Sequence, residues 1–352
     1  MATQTSTTSG ILERKQPLIL QIFQFIVIGL LVLLLINYKG KAGFSKIQHT
    51  QATGSIALPA LLVESKEGQP SALRDAVAYL KIVWPALLFG VLISAAVRTS
   101  LSRTPLRAVF GRGSVRDQLT GAAAGAPLML CSCCVAPIFP AVYERTHKLA
   151  PALALTLAAP SLNPVALTLT FILFPWRIAG ARLIMALILV LIGSAVVANI
   201  ARRPRVISHR AEEQPGATWL SLLASYGNSL AYVAVRTVPL VLVGIWASMW
   251  VMRRLPLSLS SIATSGAHIT AIAIIAAIAL LLTLPSLFEI PLALSILAAG
   301  GPVGGAVAVL FAGPAINIPS LLVIGRHSSW KLAVALAMLV WAIAAIGGFL
   351  LH

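Results

Sequence analysis

Apolar residues in this chain come in long, nearly unbroken runs, not in the one-faced or alternating patterns of water-soluble helices and strands. A helix needs about 20 mostly apolar residues to cross the hydrocarbon of a bilayer. Seven runs come close to or exceed that length: Leu18–Ile36, Ala78–Val97, Ala150–Phe174, Ile178–Ile200, Ala231–Met252, Val303–Ile324 and Lys331–Leu351. Each predicts a spanning helix. The first follows Glu13, Arg14 and Lys15 and so shares the basic start of a signal peptide. Its apolar stretch is long for a signal core and no clear small-x-small cleavage site follows, so it reads as a retained helix. A polar stretch from Asn37 to about Ala76, rich in Gly, Gln, Ser and Thr, predicts the one long loop.

Two further apolar stretches are interrupted. Leu119–Val142 contains Gly121, Gly125, Pro127, Pro137 and Pro140, and Ala267–Ala299 contains Pro285, Glu289 and Pro291. Proline removes a backbone donor and breaks a helix. Irregular backbone at membrane depth survives only where protein or a wet cavity covers it. Each stretch therefore predicts a re-entrant hairpin of two short helices.

Composition fits this picture. Of 352 residues, 59% are apolar and 10% charged, too few charges to coat a soluble globule of this size, where about 25% is usual. Three Cys crowded into four positions exclude a disulfide-stapled secreted fold. Lys and Arg outnumber Asp and Glu by 26 to 9, a formal charge of +17. In so apolar a chain that excess marks cytoplasmic loops, not nucleic-acid contacts. The expected partners are membrane lipid and a small solute, with no nucleic acid and no resident cofactor, and nothing in the pattern specifies an oligomer.

Charge also sets topology. Arg98, Arg103, Arg107, Arg112 and Arg116 form one basic loop, and Arg202, Arg203, Arg205 and Arg210 another. Both belong inside by the positive-inside rule. Two full spans separate them, so Leu119–Val142 must add an even number of crossings, as a hairpin does. That hairpin also places Arg145 and Lys148 inside. The expectation is seven full spans plus two hairpins, with the N-terminus cytoplasmic and the C-terminus outside. Arg253 and Arg254 then lie outside, a mild violation. Lys81 and Arg236, near span ends, read as side chains that snorkel to the interface.

The chain also repeats itself. At a constant offset of 154 residues, Pro85, Gly90 and Ser94 fall on Pro239, Gly244 and Ser248, and Ser132 and Pro137 on Ser286 and Pro291. Pro160 and Asn163 fall on Pro314 and Asn317, and Trp176-Arg177 on Trp330-Lys331. With a one-residue slip, Ala78-Tyr79 matches Ala231-Tyr232. The first copy starts outside and the second inside, so the two are inverted in the membrane. Inverted repeats with broken helices are the build of many secondary transporters. The expected organisation is an N-terminal helix and loop (1–77), a first repeat (78–200), a basic linker (201–225) and a second repeat (226–352).

Candidate chemistry gathers at the interruptions. LCSCCVAP, Leu130–Pro137, puts Cys131, Cys133 and Cys134 at the turn of the first hairpin, with Pro137 as a break. Cys packs well as a small buried residue, but three in four positions and none elsewhere point beyond packing. Thiolates suit soft ions. Cys131 and Cys133, spaced i, i+2, would splay apart on a helix and can converge in a loop, where they could hold a metal ion transiently. Two thiols suit a monosubstituted trivalent arsenical, and a third favours inorganic arsenite or a metal. APSLNP (Ala159–Pro164) and GPAINIP (Gly313–Pro319) are paired mid-span breaks at Pro160 and Pro314. Asn163 and Asn317 can line a solute path, or satisfy the carbonyls that proline frees and pin the helices. Glu289 is the one acid inside a strongly apolar stretch. A charge at the bilayer centre costs roughly 2.5–3.5 kcal/mol, so it reads as a proton-coupling carboxylate, or as a hairpin tip at the outer surface. His268 reads as interfacial. Gly300, Gly301, Gly304 and Gly305 fit a closely packed exit from the second hairpin, with no preceding strand to make a nucleotide site.

At LCSCCVAP followed by APSLNP the chain resembles the bacterial arsenical permeases (ArsP-type predicted permeases), which carry a CSC motif before a proline, a PAxN-like break and a second PAIN-type break. Gly313–Pro319 is similar to that second break, and the resemblance covers roughly Ala78–Leu351. It implies an inner-membrane efflux permease for trivalent organoarsenicals, copper or zinc, with Cys131 and Cys133 as the thiol pair and Cys134 less constrained. The long outer loop and Ser161 in the first break depart from the pattern and leave the solute open. With no ATPase motif, the expectation is a secondary transporter and not an enzyme. Two rivals stand beside it. One is a membrane thiol–disulfide carrier, disfavoured because Pro285–Pro291 holds no thiol; the other is a channel or scaffold whose Cys cluster only packs.

Overall fold

The computed structural model describes residues 18–53, 72–100, 114–200, 219–254, 268–283, 287–298 and 301–351. Among them there are helices, short turns and no strand. In chain order the helices are α1 (Leu18–Thr53), α2 (Ala72–Ser100), α3 (Ser114–Gly125), α4 (Ser132–Val135), α5 (Ile138–Thr146), α6 (Leu149–Ser161), α7 (Pro164–Leu173), α8 (Trp176–Leu187) and α9 (Ser194–Ile200). They continue with α10 (Trp219–Arg254), α11 (His268–Leu281), α12 (Glu289–Ala298), α13 (Val303–Ala315), α14 (Ile318–His327) and α15 (Trp330–Leu350).

Length and composition make this a multi-pass membrane protein. Ile26–Ser45, Trp176–Ile200, Leu223–Ala247 and Trp330–Leu350 are each long and apolar enough to cross, and up to seven spans result if each of three bent helix pairs counts as one. Two of those pairs bend modestly, α6–α7 by 42° and α13–α14 by 43°. The third, Val115–Leu128 with Ser132–Glu144, bends by 119° and so turns back on itself. Its two ends are tied together, because Lys148 Nζ lies 2.6 Å from Asp117 Oδ2. Arg98, at the end of α2, lies 2.6 Å from Glu144 at the end of the second arm. The two arms thus meet at their far ends, as the arms of a hairpin do.

Small residues let the backbones close. Gly121 and Gly125, four apart on α3, press their Cα faces on the carbonyls of Pro151 and Leu155 in α6. Such small-xxx-small faces drive helix association in lipid, where no hydrophobic effect separates helix from solvent. Gly304 of α13 meets the Gly348 backbone of α15 in the same way, and Gly305 meets Ile275 of α11, so the glycines here serve close packing. Trp176 and Trp330, each opening a span, are exposed, as suits residues that sit at headgroup level.

Helix boundaries recur at the offset of 154. α3 and α11 begin at 114 and 268, α2 and α10 end at 100 and 254, α6 and α13 run 149–161 and 303–315, and α7 and α14 run 164–173 and 318–327. α8 and α15 open at 176 and 330.

The structure corrects one expectation and adds detail to two others. The polar stretch after Asn37 is not loop throughout: α1 continues without a break to Thr53, and residues 54–71 lie outside the described residues. Arg236, near a span end, has its guanidinium 4.9 Å over the Tyr232 ring and donates to Tyr232 Oη at 2.7 Å. In the second interrupted stretch α11 and α12 are separate helices, while Pro285 and Ser286 between them lie outside the described residues. So do Arg103, Arg107, Arg112 and the Arg202–Arg210 loop, and the side chains of Arg253, Arg254 and His268.

Candidate functional site

The cysteine turn is built by its caps. α3 ends in a 3-10 turn, Ala126–Leu128, which Met129 closes in the left-handed region at φ 51°. That costly conformation for a side-chain-bearing residue reverses the chain just before the thiols. Cys131 is extended and caps α4, its carbonyl accepting from the amides of Cys134 and Val135 at 3.0 Å each. It thus stands off the single turn that carries Cys133 and Cys134. Because Cys131 is not helical, the i, i+2 pair converges: Cys131 Sγ lies 3.2 Å from Cys133 Sγ, and Cys133 Sγ lies 3.8 Å from Cys134 Sγ. All three sulfurs lie within 4.8 Å of one another, and all are free and buried. Pro137 then starts α5.

α2 holds this turn in place. Tyr79, fully buried, brings its hydroxyl within 3.6 Å of Cys133 Sγ. Gly90 packs directly on the Cys134 carbonyl, which a Cβ would strike. Ser94 donates to the Pro137 carbonyl at 2.7 Å. Positions 79, 90 and 94 fall within about 60° of one another on a helix turning 100° per residue, so one stripe of α2 clasps the thiol motif. α4 also packs on α6, which leads into the first break, and on α14, which leaves the second.

At the breaks the two Asn residues cap helices. Asn163 Oδ1 accepts from the amides of Val165 and Ala166 at 3.0 and 3.4 Å. Asn317 forms a capping box with Ser320, whose hydroxyl and amide lie 3.0 and 3.2 Å from Asn317 Oδ1. Pro160 and Pro314 stand in the last turns before the caps, and the Asn oxygens serve the amides that follow rather than the carbonyls that proline frees. Both breaks leave a buried polar atom without a partner: Ser161 Oγ at the first and Asn317 Nδ2 at the second.

Glu289 stands apart from the thiols. It is 2% exposed and opens α12 just after Leu287, whose φ is 77°. Its Oε1 accepts from Arg182 Nη2 of α8 at 2.8 Å, and Arg182 is 1% exposed. Arg182 Nη1 donates to Thr170 Oγ1 of α7 at 2.5 Å, and Thr170 donates to the Ala166 carbonyl at 2.7 Å. Glu289 is therefore buried against an arginine and not an exposed side chain. Sequence reasoning passed over Arg182, although a lone arginine in an apolar span was its signal. Tyr79 served only as a repeat marker.

Known proteins bear on this geometry. Residues 69–352 match the ArsP-type family described as predicted permease. The chain belongs to that family. It is 25% identical over 308 residues, 86% of each chain, to UPF0718 protein YraQ of Escherichia coli (strain K12). It is also 32% identical over 102 residues to UPF0718 protein MJ0584 of Methanocaldococcus jannaschii, 29% of this chain and 28% of that one. No solved structure matches the chain. Family and apolar helices together make the protein a membrane permease rather than an enzyme.

Proposed function

We propose that this permease is a secondary transporter that exports a thiophilic solute, a trivalent arsenical, arsenite or a soft metal ion, across the inner membrane, with its N-terminus cytoplasmic. The observation that carries this reading is the convergence of three buried thiols at the turn of a hairpin flanked by two broken helices. Two thiolates about 2.3 Å from one ion, at angles of about 90–110°, lie about 3.3–3.8 Å apart. The observed Sγ separations of 3.2 and 3.8 Å suit a shared ion. With three sulfurs within reach, inorganic trivalent arsenic or a soft metal ion is favoured over a monosubstituted arsenical.

In this reading residues 78–200 and 226–352 are inverted copies around one crevice, and the helix register at 154 residues supports it. Asn163 and Asn317 line the path, for which the spare Ser161 Oγ and Asn317 Nδ2 are suited. Glu289 carries the coupling proton. The solute is held transiently, so no closed four-ligand cage is needed.

Everted vesicles test this. Arsenite, Cu(I) and Zn(II) are offered with and without a proton gradient, and uptake should depend on the gradient and fall to background in Cys133→Ser. Full uptake or full cellular resistance with Cys133→Ser would defeat the thiol mechanism.

A further inference from the structure

The Arg182–Glu289 pair joins the two halves of the chain. Arg182 stands on α8 beside Thr170 of α7, while Glu289 opens α12, which packs on α13. Ion pairs at this depth are costly to maintain, because both charges give up water. α13, against which α12 packs, carries no ionisable side chain. α7 contributes only the Thr170 hydroxyl, and the other cation of α8, Arg177, lies 5.9 Å over the Trp176 ring at the helix start. Among the charged groups of these elements, Arg182 is thus the one that meets Glu289. One further detail stands out: Arg182 Nε is buried with no hydrogen-bond partner. A pair selected for stability alone would use that donor, since an unmade buried hydrogen bond is costly.

We propose that Arg182 is the coupling partner of Glu289: the carboxylate holds either the guanidinium or a proton, and exchanging one for the other releases α12 from the first half. Arginine keeps its charge, so only Glu289 can take the proton. An isolated carboxylate at this depth is strongly disfavoured, so Glu289 cannot leave Arg182 unless a proton replaces it. The proton arrives from the outer aqueous phase, neutralises Glu289 as the halves part, and leaves to the cytoplasm before the pair re-forms. Arg182 meanwhile keeps Thr170, and its free Nε turns to entering water. Movement without a proton is blocked, which ties solute export to the gradient. This rests on the coupling role given to Glu289 above.

The test uses full-length protein in everted vesicles, arsenite as the probe and an imposed proton gradient. Wild type, Cys133→Ser, Glu289→Gln and the doubly neutral R182Q/E289Q are compared, and maleimide protection of the thiols by arsenite is read separately. R182Q/E289Q removes both charges together, so it escapes the unpaired-charge penalty that could unfold a single variant. The expected result is that R182Q/E289Q keeps thiol protection and arsenite equilibration, while its gradient-driven accumulation ratio falls to one. Accumulation equal to wild type would overturn the proposal, as would loss of downhill movement with thiol protection intact. If wild-type uptake does not depend on Cys133, the exporter reading itself fails, which is a separate outcome.

Discussion

The spans Trp176–Ile200 and Trp330–Leu350 begin with the same exposed tryptophan, each follows a break of nearly equal bend, and they lie 154 residues apart, yet they hold different chemistry. The first buries Arg182 and passes through a π-helical segment, Ile188–Gly193; the second is regular α-helix throughout, with apolar Leu336 buried where Arg182 would fall. The turns that precede them differ in a complementary way. Cys133 and Cys134 correspond to Leu287 and Phe288, and Val135 corresponds to Glu289. One copy supplies the sulfur and the guanidinium, and the other supplies the carboxylate. Two stretches in the same register can thus share their backbone breaks while differing in chemistry, because backbone geometry depends on Pro, Gly and Asn and chemistry on the residues between them.

Breaking the pair that crosses the halves should have the largest effect. Arg182→Leu or Glu289→Leu strands a buried charge and should cost about 3–5 kcal/mol, whereas the doubly neutral variant should cost much less. Thermal unfolding of detergent-solubilised protein compares the three, and additive losses would show that the pair is not coupled.

The clasp on the thiol turn comes next. Gly90→Ala drives a Cβ into the Cys134 carbonyl and should cost about 1–3 kcal/mol, with arsenite protection of the thiols lost as the turn shifts. Gly244→Ala, whose Cβ would lie 2.6 Å from Pro319 Cα, should destabilise by a similar amount and leave thiol protection intact. Equal effects of both on maleimide protection would erase the division between the copies.

Cap removal should be smaller. Asn163→Ala and Asn317→Ala each forfeit about 0.5–2 kcal/mol, with Asn317 the more costly because its capping box with Ser320 satisfies more groups. Denaturation midpoints of the two variants check the order. Least of all, Lys148→Arg keeps a cation at the hairpin mouth facing buried Asp117 and should change stability by less than about 1 kcal/mol. A loss well beyond that would mean the tie between the hairpin ends holds more of the fold than its exposure suggests.

Much of the framework was legible along the chain. Apolar runs located helices at each expected span, although Ala78–Val97 yields only the shorter apolar stretch Val83–Thr99 within α2. Proline with asparagine located both breaks, because each signal acts within one or two helical turns of itself. Charge parity led to a hairpin here, and the 119° bend with Lys148 paired to Asp117 brings its two ends together. Gly121 and Gly125 carried a packing signal that was there to be used. Less legible was the gathering of Cys131 with Cys133, since their spacing splays them on a helix and only the extended cap at Cys131 turns them inward. Glu289 could be singled out as an unusual acid, but its partner lies 107 residues away on another helix.

By itself, then, the amino-acid sequence determined that this chain lives in a bilayer, where its helices break and which residue types stand at the breaks. Those outcomes follow from transfer energy and from local backbone hydrogen bonding, both of which are additive along the chain. Tertiary packing alone decided that Tyr79, Gly90 and Ser94 clasp the thiol turn and that Arg182 neutralises Glu289 across the halves. Such meetings depend on how helices remote in sequence are brought side by side, and in a low-dielectric interior a buried charge is tolerable only where that packing supplies its counter-charge.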